Sequence, residues 1–246
     1  MPAQPSDKRI LYKISGEALM GSRPFGIDPD MVAQVVEDVL EARALGVSMA
    51  LAVGGGNIFR GVALARAGAD RVTGDHMGML AIVMNALSLR MAFDARGVPA
   101  TVLSGLAVPQ VCETFSQRAL EDATERGDVV IFAGGLGTPF FTSDTAAAIR
   151  AAEYGADAIY KGTQVDGVYS ADPRRDEGAE HIARLSHDDV LERRLGFMDA
   201  SAVALARDRG IDIVVFSIHA RGSLAKALTG EGTSSRVTSV AMAKDA

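Results

Sequence analysis

The chain of 246 residues has one cysteine, which excludes an intrachain disulfide and a thiolate metal cluster. Cys112 has no histidine near it in sequence, so we interpret it as a structural thiol rather than a nucleophile. The polar segment 1–9 lacks the apolar core of a signal peptide, and no apolar run approaches the length of a membrane span. These absences predict a cytoplasmic protein without membrane contact.

Positive charge and histidine are also scarce. The net charge of −6 argues against a broad nucleic-acid surface, although local loops could still bind phosphate. The four histidines are scattered without the spacing of a metal site, so no protein-bound metal is predicted. Apolar residues make up 48% of the chain, which is ample for a globular core in one domain or two intimately packed lobes.

Apolar strands alternate with amphipathic helices along the chain. The patterns predict strands at 10–12, 47–53, 128–132, 156–160 and 211–216, and helices at 28–46, 75–96, 143–154, 188–195, 199–209 and 223–228. Strands joined by helical crossovers predict an α/β fold, a three-layer αβα sandwich around a largely parallel sheet. We expect a single domain over 1–246 whose halves meet near residue 160.

Three adjacent glycines, Gly54, Gly55 and Gly56, follow the apolar strand 47–53. Without side chains, the backbone N–H groups of this turn can approach an anion, and Arg60 could add a fork of donors. The pattern matches neither of the two commonest phosphate loops. Alone, it fits a plain glycine turn as well as it fits a phosphate site.

The loops at the carboxyl ends of four predicted strands favour the phosphate interpretation. These loops cover 13–16, 54–57, 134–142 and 161–163; three are rich in glycine and two carry a lysine. Ligands of open parallel sheets collect at this edge. Lysines at strand ends are usually solvated, but Lys13 and Lys161 each precede a tight turn. The convergence predicts a site for two phosphate-bearing ligands.

Several longer motifs give the chain a family resemblance. They are Lys-x-Ser-Gly-Glu-Ala-Leu at 13–19, Gly-Gly-Gly-Asn-x-Phe-Arg-Gly at 54–61, Gly-Asp-His-Met-Gly-Met-Leu at 74–80, Pro-Phe-Phe-Thr-x-Asp at 139–144 and Val-Asp-Gly-Val-Tyr at 165–169. With them the chain resembles the bacterial uridylate (UMP) kinases of the amino-acid kinase superfamily, over roughly 8–237. The motifs at 74–80 and 139–142 are the most specific to the UMP enzymes.

The resemblance implies transfer of the γ-phosphoryl group of ATP to UMP, giving UDP and ADP in pyrimidine nucleotide biosynthesis. It implies Mg²⁺ arriving with ATP, a homo-oligomer that is typically hexameric, and GTP and UTP as effectors. It also implies that 1–160 binds the acceptor UMP and 161–246 binds ATP. These points are expectations from the resemblance and not from composition or spacing.

The same resemblance assigns site residues. Lys13 and Arg60 would hold the transferred group, with Lys161 assisting, and Asp144 and Asp199 would orient the lysines or merely cap helices. The residues implied for ATP are Lys13, Ile14, Ser15, Gly16, Gly56, Arg60, Thr163, Tyr169 and Asp172. Those implied for UMP are Gly55, Asp75, Leu136, Gly137, Thr138, Pro139, Phe140, Phe141, Thr142 and Ser143. Asp75 would accept the ribose hydroxyls and could also cap its helix.

The sequence departs from the family pattern in two loops, and other functions of the same fold stay open. Leu136 and Thr138 replace a threonine and an asparagine of the family pattern, and Gln164 replaces a lysine near the ATP pocket. A kinase of the same fold for carbamate or an amino-acid carboxylate should lack the 75–78 motif. A storage homologue should lack Lys13 and gain histidine-rich loops, whereas a non-catalytic regulatory role stays open.

Overall fold

The computed structural model describes residues 7–59, 68, 70–176 and 178–239. Within these residues a nine-stranded sheet has the order β4-β3-β5-β2-β1-β6-β10-β11-β9, and β7 pairs with β8 in a separate ribbon. The strands are β1 (Arg9–Ile14), β2 (Ser48–Val53), β3 (Ala100–Ser104), β4 (Glu113–Thr114), β5 (Val129–Ala133), β6 (Ala158–Thr163), β7 (Val168–Tyr169), β8 (His181–Ile182), β9 (Arg184–Ser186), β10 (Asp212–Ser217) and β11 (Ser234–Thr238). In the nine-stranded sheet, β10 and β11 pair antiparallel and the other neighbours pair parallel.

Helices cover both faces of this sheet, and each face has its own apolar cluster. The helices are α1 (Pro29–Ala44), α2 (Arg71–Ala95), α3 (Gln117–Glu125), α4 (Ser143–Tyr154), α5 (His187–Glu192), α6 (Ala200–Arg209) and α7 (Ser223–Thr229). Helices α1, α2 and α7 contribute to one cluster, and α3 to α6 contribute to the other. The predicted αβα sandwich is therefore confirmed.

The two-residue period of the strands decides which side chains face each layer. Ile10, Tyr12 and Ile14 of β1 belong to the cluster with α1, whereas Leu11 belongs to the cluster with α4. Lys13 is two residues from Leu11 on the same strand, so its side chain points to the same face of the sheet, toward α4. Lys161 points to this face as well, because it is two residues from Ile159 on β6 and Ile159 belongs to the same cluster. The alternation thus directs both lysines to one side of the sheet.

The predicted helix at 143–154 is confirmed at both ends: Thr142 caps its start and Gly155 ends it in the left-handed conformation (φ 69°). The predicted start of the long helix at Asp75 is wrong. Helix α2 begins at Arg71, and the side chain of Asp70 accepts from the Thr73 N–H as its cap. The sequence prediction also omitted β3, β4 and α3, which lie between 97 and 127.

Helix α2 also corrects the statement that no segment approaches the length of a membrane span. Its 25 residues contain an 18-residue window of mean hydropathy 1.3, of which 44% is buried. Length and composition alone would let this helix cross a bilayer. Its buried residues Ile82, Val83 and Leu89 belong to the core cluster of the sheet, as expected for a core helix.

The strands that carry the four phosphate-type loops are neighbours in space. β5, β2, β1 and β6 are consecutive in the sheet and pair parallel, so their carboxyl ends share one edge. The loops that follow Ile14, Val53, Ala133 and Thr163 therefore converge, although up to about 150 residues separate them in sequence. The predicted strand ends at 12 and 160 are wrong, because β1 and β6 extend through Lys13 and Lys161. This edge holds the candidate site.

Candidate active site

Lys13 and Lys161 meet at one carboxylate. Lys13 Nζ lies 2.6 Å from Asp144 Oδ1, and Lys161 Nζ donates to Asp144 Oδ2 at 2.6 Å. Only 5% and 8% of the two lysine side chains are exposed. Asp144 occupies the second position of α4, whose start is fixed by the Thr142 cap. Two cations and one anion thus occupy a nearly buried position at the sheet edge.

Burial and neighbouring charges shift the protonation of this cluster. Burial, followed by the charge of Lys13, lowers the pKa of Lys161 from 10.5 to about 8, against the opposing effect of Asp144. Burial alone would raise the pKa of Asp144, but the ammonium groups of Lys13 and Lys161 hold it below its usual value. Asp144 is therefore ionised at neutral pH, and a second anion would strengthen the protonation of Lys161.

Asp199 approaches the cluster from the other half of the chain. It precedes α6 without a side-chain cap bond, and its Oδ2 accepts hydrogen bonds from the hydroxyls of Thr142 and Thr145. Lys161 Nζ also donates to the Phe197 carbonyl at 2.6 Å. Neither Asp144 nor Asp199 caps a helix with its side chain. The capping interpretation is wrong for Asp144, which lies inside α4, whereas Asp199 occupies the N-cap position of α6 but directs its carboxylate to Thr142 and Thr145.

The two glycine-containing loops beside the lysines are in tight contact. The Gly54 N–H donates to the Ile14 carbonyl at 2.9 Å, and the Ser15 hydroxyl accepts from Ala18 N–H at the start of a short 3-10 helix, Gly16–Met20. A Cβ on Gly16 would lie 2.5 Å from the Gly56 nitrogen. A Cβ on Gly56 would meet no atom of the described residues within 4 Å. These residues therefore leave this face of the turn open, as an approaching ligand requires.

A cavity of about 260 Å³ lies next to the glycine triplet. Of the residues implied for UMP, its lining contains Gly55, Asp75, Leu136, Thr138, Phe141, Thr142 and Ser143. Gly137, Pro139 and Phe140 do not line it. Gly137 instead fits against Gly105, where a Cβ would lie 2.1 Å from the carbonyl oxygen. Most of the implied residues are therefore brought together, on one side of the triplet.

Asp75 forms the charged wall of this cavity. Its two oxygens share the single Arg71 Nε–H in a bifurcated hydrogen bond, at 2.8 and 2.9 Å, and the carboxylate also accepts from Phe140 N–H at 2.8 Å. Phe140 has a left-handed backbone (φ 72°), which a bulky residue adopts only where its surroundings impose it. Asp75 therefore fixes the 134–142 loop. It lies in the second turn of α2, so the N-cap interpretation of Asp75 is wrong.

Two of the residues implied for the ATP nucleoside lie in a separate cleft, which is also lined by Phe197, the carbonyl partner of Lys161. Tyr169 and Asp172 line a cleft of about 420 Å³, together with Arg174, Arg193 and Arg194. Tyr169 donates its hydroxyl to Asp166 at 2.7 Å, which holds the ring at the cleft wall. Thr163 is outside this lining, and its hydroxyl donates to the Val165 carbonyl at 2.7 Å. It shapes the turn that leads to the cleft.

Three further residues, Arg60, Gln164 and Arg71, bear on the site. Arg60 lies outside the described residues, so its predicted role stays a prediction. Gln164, the substitution near the ATP side, has its Oε1 2.6 Å from His219 Nε2. Sequence reasoning missed Arg71, which lines the cavity beside Asp75. The opposite charges of Arg71 and Asp75, four residues apart on a helix, were the available signal.

Lysines, a shared carboxylate and glycine turns at the carboxyl edge of a parallel sheet define an α/β phosphotransferase. The chain belongs to the amino acid kinase family, whose model matches residues 8–217. It is 57% identical to the uridylate kinase of Rhizobium meliloti over 97% of this chain and 99% of that protein. The uridylate kinase of Brucella melitensis is also 57% identical, over 94% and 97%.

Two solved structures are similar over nearly the whole chain. The UMP kinase from Bacillus anthracis has a TM-score of 0.90 at 32% identity, covering 96% of this chain and 97% of its own. The UMP kinase from Ureaplasma parvum has a TM-score of 0.89 at 33% identity, covering 94% and 98%. Both the sequence relatives and the structural neighbours therefore share the full extent of the fold.

Proposed function

We propose that the chain is an ATP-dependent nucleoside monophosphate kinase that transfers the γ-phosphoryl group of ATP to UMP, giving UDP and ADP. The observation that carries the proposal is the buried Lys13–Asp144–Lys161 cluster, between a cavity of about 260 Å³ and a cleft of about 420 Å³. The uridylate kinases at 57% identity over almost equal lengths support UMP as the acceptor.

The lysines would neutralise the negative charge of the phosphoryl group during its transfer. Such a transfer needs little covalent chemistry from protein, because in-line positioning and charge stabilisation lower most of the barrier. We assign Lys13 and Lys161 to this role and Asp144 to their orientation, since its two oxygens contact both ammonium groups. Asp199 would support the same cluster through Thr142 and Thr145. Arg60 would add a further cation. UMP already carries a phosphate anion at neutral pH, so no general base is required.

The ATP phosphates would lie over the backbone of the two glycine loops. We assign backbone contacts to Ile14, Ser15, Gly16 and Gly56, and the nucleoside to the cleft beside Tyr169 and Asp172, with Thr163 at its entry. Mg²⁺ would enter as the ATP complex, with phosphate oxygens and water as its main ligands. Both oxygens of Asp144 are already held by ammonium groups, so this carboxylate is a poor metal ligand.

UMP would occupy the cavity on the other side of the glycine triplet. We assign the ribose hydroxyls to Asp75, a phosphate contact to Gly55, and the base and phosphate to the 136–143 loop. Within that loop, the contacts of Gly137, Pro139 and Phe140 would be indirect or through backbone groups. The chain then acts as one domain in which 1–160 binds the acceptor and 161–246 binds the nucleoside of ATP.

A coupled ADP-release assay with UMP, CMP, dUMP, carbamate and acetylglutamate tests the proposal. UMP should be the preferred acceptor, and Lys13→Ala should lower kcat by at least about tenfold, because it removes a cation needed in the transition state. Turnover of carbamate or acetylglutamate without turnover of UMP would refute UMP kinase activity. Binding of nucleotides without any turnover would instead indicate the regulatory alternative.

We also propose that the chain forms a cytoplasmic homo-oligomer, hexameric as in the resembling family, with GTP and UTP as effectors. Helix α2 supports an interface, because Met77, Leu80, Met84 and Met91 form an exposed stripe at helical spacing. Light scattering of the wild type and of Met84→Lys tests the assembly. A monomeric wild type would contradict it, and adding GTP or UTP to the assay tests the effectors.

A further inference from the structure

Two asparagine side chains form a closed pair beneath the glycine triplet. Asn57 Nδ2 donates to Asn85 Oδ1 at 3.0 Å, and Asn85 Nδ2 donates to Asn57 Oδ1 at 2.7 Å. Asn57 is 2% exposed and Asn85, in the middle of α2, is fully buried. Burying two amides in an apolar layer costs free energy unless their polar atoms are paired. Such a pair therefore calls for an explanation beyond core packing.

The remaining hydrogen bonds of the pair go to backbone carbonyls of two loops. Asn85 Nδ2 also donates to the Gly54 carbonyl at 2.7 Å, and Asn57 Nδ2 donates to the Gly26 carbonyl at 2.8 Å. The Gly26 N–H in turn donates to the Asn57 carbonyl at 2.7 Å. Each amide group thus uses both of its N–H donors. The pair links the glycine triplet, the loop at Gly26 and helix α2.

The glycine triplet has little room to move between its neighbours. A Cβ on Gly55 would lie 2.8 Å from the Gly78 carbonyl of α2, and one on Gly16 would lie 2.7 Å from Asn57 Oδ1. Asn85 therefore sets the height of the triplet over α2, the helix that also carries Asp75. A shift of the triplet would change its distance from both candidate phosphate positions at once.

We propose that Asn85, together with Asn57, is a positioning residue for phosphoryl transfer. The pair holds Gly55 and Gly56 at one fixed position, so that the acceptor and donor phosphates meet in line. This inference rests on the proposed kinase function. Misplacement by about 1 Å can cost about a hundredfold in rate, whereas the nucleoside contacts at the far ends of both ligands remain. Loss of the pair should therefore lower kcat more than it raises either KM.

The variants Asn85→Leu, Asn57→Leu and the double variant test the proposal, because leucine has the shape of asparagine without its polar atoms. Leu89→Ala is the matched control: Leu89 is fully buried in the same helix and contacts the core rather than the triplet. We expect each single variant to lower kcat by at least about tenfold with KM changes within about threefold. The double variant should be no more than about threefold worse than a single one, since the two residues act as a unit.

Hydrogen exchange in the ligand-free protein provides a readout independent of activity. The amides of 54–57 should exchange at least about tenfold faster in Asn85→Leu but not in Leu89→Ala. The positioning role would be overturned if the amides of 54–57 exchanged at the wild-type rate in Asn85→Leu. It would also be overturned if the kcat losses of the two single variants multiplied in the double variant, or if kcat fell only in proportion to the melting temperature. A wild type inactive on every acceptor would refute the kinase proposal while leaving the exchange comparison readable.

Discussion

Lys13 and Lys161 occupy the same register position on the adjacent parallel strands β1 and β6, and their ammonium groups contact opposite oxygens of Asp144. Two buried cations on neighbouring strands repel each other, and one carboxylate offsets only part of that repulsion. Without Asp199, whose charge also acts on Lys161, the two lysines and Asp144 carry a net positive charge, which an anionic ligand would neutralise. The sheet register thus produces an anion site before any ligand binds.

The protonation of Lys161 predicts an alkaline limb in the pH profile. With its pKa lowered to about 8, first by burial and then by Lys13, Lys161 loses its charge as the pH rises through that value. The kcat/KM for ATP should therefore fall above about pH 8, because this parameter reports on the free enzyme. Since Asp144 raises the pKa of Lys161, Asp144→Asn should move the limb to lower pH. Steady-state kinetics from about pH 6.5 to about pH 10, a range that brackets the pKa of Lys161, would check both expectations.

Lys161→Arg is the control for this assignment, because a guanidinium keeps its charge across the whole range. The alkaline limb should disappear from its profile even if its activity is lower. A wild-type profile that stays flat to about pH 9.5, or an arginine variant that keeps the limb, would show that another group titrates.

The sequence predicts the outline of this site better than its interior. Parallel strands bring the loops after β1 and β6 to one edge, and local patterns suffice for that conclusion. The predicted strands end at 12 and 160, so the shared face of Lys13 and Lys161 emerges only from the longer strands of the structure. The contact with Asp144 depends on how α4 packs across the sheet, which no local pattern encodes. The Asn57–Asn85 pair is likewise set by tertiary packing, since asparagine alone indicates a turn or cap.

The errors in the fold prediction also have physical causes. Asp70 and Asp75 are both acceptable caps, and a sequence does not reveal which one heads α2. β4 has only two residues, so its pattern is too short to distinguish from a loop. β11 pairs antiparallel with β10 and parallel with the edge strand β9, and it is stabilised by these neighbours rather than by its own alternation.

Asp75→Asn should raise the KM for UMP by about tenfold and change the KM for ATP much less, since a charged hydrogen bond to the ribose would be lost. The variant retains an oxygen that can accept from the Phe140 N–H, so the 134–142 loop should stay in position. Initial-rate kinetics with each substrate varied would show the difference.

The matched control for Asp75→Asn is Asp94→Asn, which removes the same charge near the other end of α2. Asp94 is an exposed partner of Arg90 and does not line the cavity. Its kinetic constants should stay at wild-type values. Equal increases in both KM values for Asp75→Asn would contradict its placement beside the ribose.

Removing the charge of the buried Asp38 carboxylate should increase the stability of the folded protein. It is 1% exposed in α1 and accepts from Gly222 N–H at 3.0 Å. Burial, with help from Glu41, raises its pKa from 3.8 to about 6. The folded state therefore binds more protons than the unfolded state between these values, and stability falls as the pH rises from about 4 to 6. Above pH 6 the ionised carboxylate is a cost.

Asp38→Asn keeps an oxygen for Gly222 and removes that cost. At pH 7.5 it should raise the free energy of unfolding by about 1–3 kcal/mol, and the gain should vanish below about pH 4. Urea unfolding across this range measures it, with the exposed Asp94→Asn as a control that should show less than about 0.5 kcal/mol. A variant less stable than the wild type at pH 7.5 would contradict the buried-charge cost.

Gly16 and Gly56 face each other across the two glycine loops, but alanine at the two positions should have different effects. At Gly16 it should lower the stability of the protein, and at Gly56 it should weaken ATP binding. In Gly16→Ala the new Cβ would lie 2.5 Å from the Gly56 nitrogen and 2.7 Å from Asn57 Oδ1, both in buried surroundings. We expect a loss of about 1–3 kcal/mol or more in the free energy of unfolding, because the contacts involve backbone that cannot move aside. Thermal unfolding measures this loss.

In Gly56→Ala the methyl group would meet no atom of the described residues within 4 Å, and Gly56 has no positive φ that would strain alanine. Stability should therefore be unchanged or up to about 1 kcal/mol higher. The methyl group would stand where the ATP phosphates are proposed to approach the backbone, so the KM for ATP should rise by about tenfold or more. A stable Gly56→Ala protein with wild-type kinetics would remove Gly56 from the phosphate site. A variant that loses stability and activity together would show that the open face of the turn is needed for folding rather than for ATP.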